Sequence, residues 1–157
     1  MKKHTLSTII ALLIALPAAA QVVAWQLPPT DYTQMSRFGH DLYQVSSPSG
    51  KVGLIRSDGT IVVPVEADKL GPFYEGTALV TVSESVAQTR VLGVLTENGQ
   101  YTAFGDKYYT LKGQEFYSDG VLTVQNGKGK KGYIDKSGEP VCGFDKDYYR
   151  IKPFTEG

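Results

Sequence analysis

From residue 50 onward the chain alternates short apolar runs with polar, glycine-bearing interruptions, and no stretch outside the amino-terminal leader carries a helical period. The same phrase returns three times as a strand, a glycine turn and a second strand. Its copies are Gly50-Lys51-Val52-Gly53-Leu54-Ile55-Arg56-Ser57-Asp58-Gly59-Thr60-Ile61-Val62-Val63-Pro64, then Val91-Leu92-Gly93-Val94-Leu95-Thr96-Glu97-Asn98-Gly99-Gln100-Tyr101, then Gly129-Lys130-Lys131-Gly132-Tyr133-Ile134-Asp135-Lys136-Ser137-Gly138-Glu139-Pro140-Val141. Gly53, Gly93 and Gly132 lie 40 and 39 positions apart, and the turn glycines Gly59, Gly99 and Gly138 keep those spacings. Asp58-Gly59, Asn98-Gly99 and Ser137-Gly138 sit between strand-like runs and accept the positive φ of tight hairpins, so three hairpins are expected.

A later segment also recurs, as Phe73-Tyr74-Glu75-Gly76-Thr77-Ala78-Leu79-Val80-Thr81-Val82 and Phe116-Tyr117-Ser118-Asp119-Gly120-Val121-Leu122-Thr123-Val124. In both, an aromatic, an acid and a glycine lead into a β-branched run that suits a third strand. Each copy thus reads as a three-stranded meander with a longer, partly irregular connection between strands two and three. Pro64 and Pro140 lack the N–H of a central ladder and belong at strand ends or sheet edges.

The pattern divides the chain into a leader (1–20), an N-terminal segment (21–37), a partial repeat strand (38–49) and copies at 50–88, 89–127 and 128–157. Phe38 to Val45 resembles the third-strand segment of a preceding copy. Pro153-Phe154-Thr155-Glu156-Gly157 matches Pro72-Phe73-Tyr74-Glu75-Gly76 and then stops, so the last copy reads as incomplete. The expected fold is all-β, an open array of tandem hairpin and meander repeats of about 40 residues. A closed three-fold body, β-trefoil-like or propeller-like, is the alternative. Open edge strands would invite self-association.

Lys2 and Lys3 precede an apolar run from Leu6 to Leu16 and then Pro17-Ala18-Ala19-Ala20, which reads as a cleavable secretory signal. The run is too short for a stable membrane span, and no cysteine follows the expected cleavage site. Loss of Lys2 and Lys3 takes the 16 basic side chains to 14 against 16 acidic ones, so no charge excess favours nucleic acid. The single cysteine, Cys142, cannot form an internal disulfide and is expected to be a small buried apolar side chain.

The copies resemble the WG repeats, also called KWG repeats, of bacterial proteins. In the first copy Lys51, Gly53, Leu54, Ile55, Gly59, Val62, Pro64, Asp68, Phe73, Glu75 and Gly76 fall into the family's places. In the third, Lys130, Gly132, Tyr133, Ile134, Asp135, Gly138, Phe154, Glu156 and Gly157 do so. The tryptophan position holds Val52, Leu92 and Lys131, so the namesake residue is absent. The resemblance spans roughly residues 38 to 157 and implies a β-rich repeat array without assigned chemistry, with no catalytic residue to carry over.

A nucleophilic triad needs a base, and after leader removal His40 is the one histidine, with no local signature beside it or Cys142. One histidine and one cysteine are too few for zinc, so no metal or other cofactor is expected. Asp145, Asp147 and Glu156 read first as ordinary solvated turn acids, with glycan hydrolysis the competing role for such carboxylates; Asp145-Lys146-Asp147 lacks the other ligands of a calcium loop. Lys128, Lys130 and Lys131 crowd a hairpin tip, where they suit either an anionic partner or plain solvation.

The most suggestive feature is aromatic. Tyr108-Tyr109 is echoed by Tyr148-Tyr149, 40 positions later. These four are the candidate ligand-binding residues, because tyrosine joins apolar area to a hydrogen-bonding tip. Strand alternation should turn one tyrosine of each pair inward, and a packing role competes with recognition. The expected protein is therefore exported to the periplasm, cell surface or medium, non-enzymatic, and a binding or scaffolding module for a protein or carbohydrate. The alternatives are the structural N-terminal portion of a longer repeat protein and an envelope glycan hydrolase.

Overall fold

A computed structural model describes residues 32–39 and 41–145; the candidates His40, Asp147, Tyr148, Tyr149 and Glu156 lie outside the described residues. Eleven strands and no helix occur among them. One antiparallel sheet runs β1 (Gln34–Gly39), β2 (Leu42–Ser46), β3 (Val52–Arg56), β4 (Ile61–Ala67) in spatial order. The second holds β5 (Lys69–Leu70), β6 (Thr77–Ser85), β7 (Gln88–Thr96), β8 (Tyr101–Thr110), β9 (Leu122–Asn126), β10 (Lys131–Ile134) and β11 (Pro140–Gly143), again in chain order across the sheet. Neither closes into a barrel, so the fold is the open β-hairpin array.

The expected meander forms in the second copy as β7-β8-β9, but in the first copy β4 and β6 fall in different sheets, and the arrangement that recurs in every copy is out of phase with the sequence phrase. Three strand triplets repeat, β2-β3-β4, β6-β7-β8 and β9-β10-β11, each made of the third strand of one copy and the first two of the next. Connection length explains the phase. Strand three reaches the following strand one through a short turn, at Ser47–Gly50, Val86-Ala87 or Asn126–Lys130, whereas strand two reaches strand three through a longer segment. Close sequence neighbours pair first and at least entropic cost. The register repeats with the strands, placing Gly53 opposite Val45, Gly93 opposite Val80 and Gly132 opposite Val124.

The glycine at this position answers to a close approach on its other side. A Cβ at Gly53 would lie 2.6 Å from the Val63 carbonyl oxygen, at Gly93 2.2 Å from that of Thr102, and at Gly132 2.5 Å from the Phe144 ring. The register slips beside Gly53 and Gly93, and one residue beyond Gly132, between Tyr133 and Ile134. At Gly93 the slip also changes the phase of alternation. Val91 and Val94 join one core, while Leu92 and Leu95 join the other.

Those cores are distinct in position. Leu54, Val63 and Ala67 of the first sheet pack with Val80, Val82, Leu92 and Leu95 of the second, which joins the two sheets. On the other face Leu79, Val91 and Val94 pack with Phe104, Tyr108, Tyr117, Leu122, Val124 and Ile134. With both faces covered, β7 reads as the near-continuous apolar run Val91-Leu92-Gly93-Val94-Leu95. Pro64 is exposed on β4, the last strand of its sheet, as its missing N–H requires.

The expected hairpins form at Asp58-Gly59, Asn98-Gly99 and Ser137-Gly138, with a different division of labour. Only the glycines take positive φ, at 87°, 78° and 84°. Each closes a three-residue loop through bonds such as Gly59 N–H to Arg56 O at 2.9 Å and Arg56 N–H to Thr60 O at 2.8 Å. Cys142, expected to be buried, is exposed. It lies on β11, the end of the second sheet among the described residues, where Val141 is also 56% exposed.

Candidate functional site

Two-residue turns of the primed kind occur at Glu75-Gly76 and Asp119-Gly120, where both residues have positive φ (48° and 72°, 50° and 77°). The first is closed by Tyr74 N–H to Thr77 O at 2.8 Å and Thr77 N–H to Tyr74 O at 2.9 Å, and the second by the matching pair between Ser118 and Val121. Their equivalence makes Tyr117 the counterpart of Phe73, and Phe116 one residue further out.

The two turns grip each other. The Glu75 carboxylate accepts from the Asp119 amide at 2.6 Å and the Gly120 amide at 3.0 Å, and the Lys136 ammonium donates to the Glu75 carbonyl at 2.9 Å. Successive amides of a left-handed turn form an anion-binding concavity, which here holds a carboxylate. The Gly120 and then the Asp119 amide hold the Glu75 carboxyl below its ordinary range. Within the first copy itself, the Asp68 carboxylate accepts from Lys51 Nζ at 2.7 Å and from the Ser83 amide at 2.8 Å. The Lys51 bond first, and the Ser83 bond second, lower its pKa. Tyr117, buried to 2% exposure, donates its hydroxyl to the Asp135 carbonyl at 2.9 Å.

Stability follows pH accordingly. Both carboxyls are lowered on folding, so their contribution is fully present above the unfolded values near 3.8 and 4.5 and is lost as pH falls through the lower folded ones. The melting temperature should hold from pH 7 to about 5 and drop below about 4, read by circular dichroism. An Asp68→Asn, Glu75→Gln double variant should show a shallower acid limb; an unchanged limb would contradict these assignments.

This grip brings side chains of two copies to one cleft of about 600 Å³, lined by Tyr74, Leu79, Thr81, Ser83, Glu115 and Phe116 among others. The Tyr74 and Phe116 rings stand 5.2 Å apart at 41°, and Tyr74 is 49% exposed. A second hollow of about 680 Å³ lies among Asp106, Lys107, Tyr108, Lys128, Lys130 and Phe144. It contains the basic hairpin tip, where Asn126 Oδ1 accepts from the Lys128 and Lys130 amides, both at 3.0 Å. Lys131 is half-buried at the start of β10. Asp145 is exposed at the end of the described chain.

Tyr108 and Tyr109 are split by strand alternation. Tyr108 is 6% exposed and packs between Phe104 at 6.4 Å and Phe144 at 5.9 Å, and burial raises its pKa. Tyr109 is half-buried and pairs in register with Arg90 and Gln125. Tyr108→Leu should cost about 2 kcal/mol of stability in urea melts. Tyr109→Ala should stay within about 1 kcal/mol of the parent, and equal losses would mean that β8 is not oriented as described. Sequence reasoning missed Tyr74 and Phe116, although the Glu-Gly and Asp-Gly pairs beside them are themselves hairpin signals.

No curated protein and no solved structure matches the chain. Residues 53–84 match the family model described as WG containing repeat. They span the motif glycine Gly53, the turn at Gly59, the Asp68 tie, the Glu75-Gly76 turn and most of β6, which are the features that fold the first copy and dock it on the second. Residues 53–84 therefore carry a repeat of the WG family.

Proposed function

We infer that this chain is an exported, non-catalytic binding or scaffolding module of the bacterial cell envelope. One observation carries the reading: the junction of two repeat copies builds a concave cleft lined by a half-exposed tyrosine, beside a turn whose carboxylate bonds the next copy. A concave surface with aromatic area and a few polar groups is the usual form of a recognition site. Stacked repeats present such surfaces as a by-product of burying their faces on one another. The leader supports export, and the family supplies a repeat framework to which no chemistry is tied.

The test is expression of the full chain with its own leader, fractionation, and titration of the purified product with labelled envelope polymers and proteins. The reading expects a product cleaved before Gln21 outside the cytoplasm and saturable binding that returns the ligand chemically unchanged. Retention in the cytoplasm, or turnover of the ligand, would overturn it.

A further inference from the structure

The cleft at the junction has a chemical character that narrows the ligand. Leu79, Thr81 and Ser83 alternate along β6 and share the face that lines it, and Thr89 stands opposite Ser83 in the β6–β7 register. The strand therefore offers an apolar position followed by a row of hydroxyls. At its other end the Tyr74 and Phe116 rings form a corner and not a flat platform.

Charge separates the ligand classes. Lys69 and Glu115 both line the cleft, so it presents one cation and one anion. A polyanion such as a nucleotide or phosphorylated lipid would meet Glu115 without a surplus of positive charge. A wholly apolar ligand would bury the hydroxyl row with nothing to bond it. A pyranose satisfies both halves, with its C–H face on a ring and its hydroxyls toward threonine, serine and the two charged groups. The volume of about 600 Å³ has room for a short oligosaccharide.

The corner is also pre-formed. Thr77 Oγ1 donates to the Tyr74 carbonyl at 2.9 Å, besides the two backbone bonds of that turn and the Glu75 grip on the next copy. A ring fixed before binding loses little freedom when it binds. We propose that the cleft between Tyr74 and Phe116 is a binding subsite for an uncharged oligosaccharide. This rests on the binding-module reading above.

The experiment screens the full mature chain against immobilised cello-, chito- and malto-oligosaccharides, then titrates the best of them by calorimetry. Tyr74→Ala should weaken that sugar about tenfold or more with little change in melting temperature, and Tyr74→Trp should retain it. Tyr109→Ala should bind as the parent does. Because Phe116 is half-buried, Phe116→Tyr serves in place of a truncation and should bind within a few-fold of the parent. Sugar binding that Tyr74→Ala leaves intact, or silence across the panel, overturns the proposal. A peptide-display selection against the same protein separates the two readings. If it yields a ligand while all sugars fail, the saccharide inference falls and the binding module stands. If it too yields nothing, both fall.

Discussion

Replacing Gly93 by alanine should destabilise the protein by about 3 kcal/mol, the upper part of the range for overpacking a close-packed interior. Gly93 is buried at the centre of β7, and the added methyl would sit 2.2 Å from the Thr102 carbonyl oxygen and 2.7 Å from the Tyr101 ring. The nearer atom is backbone, in a strand already bulged at this point, so relief requires β8 to move away. That movement would disturb Leu92 and Leu95 on one face and Val91 and Val94 on the other. Gly127→Ala is the control, because nothing lies within 4 Å of its would-be methyl. It should stay within about 0.5 kcal/mol. Urea denaturation of the two variants provides the comparison, and a Gly93→Ala protein as stable as the control would contradict the close approach.

Leu95→Ala should cost a similar amount, about 3 kcal/mol, for the opposite reason. Leu95 has no exposed surface and packs among Leu54, Val63 and Val80, so truncation leaves a cavity where the two sheets meet. Its neighbours come from both sheets, and loss there loosens the docking of one on the other. Thermal unfolding of the parent should show one transition, since this core is shared. The variant should shift that transition downward as a whole. Separation into two transitions, with the second sheet melting at the parent temperature, would show that the sheets are independent and that the shared core contributes little.

The repeat and its hairpins were legible because glycine marks them physically. Gly59, Gly99 and Gly138 take a left-handed conformation that other residues avoid, and Gly53, Gly93 and Gly132 avoid a clash, so both sets survive at fixed spacing. The phase of the unit was less legible, because the strong sequence phrase spans strands one and two while short turns join strand three to the next copy. Phe116 was aligned with Phe73, but the paired turns at Glu75-Gly76 and Asp119-Gly120 make Tyr117 the counterpart, with one extra residue between the copies. That offset frees Phe116 to meet Tyr74.

The Glu75 grip on amides 44 and 45 residues away had no separate signal, since an acid beside a glycine reads simply as a turn. Alternation anticipated that one of Tyr108 and Tyr109 would turn inward but not which one, because register is set by the partners of β8. Cys142 departed from the usual burial of lone thiols because β11 ends its sheet among the described residues. Composition reports what a residue prefers and not whether a strand lies beyond it.

The central claim is that the folded unit joins the third strand of one copy to the first two of the next, and cross-strand nuclear Overhauser contacts test it most directly. Contacts pairing Gly53 with Val45, Gly93 with Val80 and Gly132 with Val124 are the predicted result. Contacts of those glycine strands to second strands of their own copies only, with none to Val45, Val80 or Val124, would contradict it.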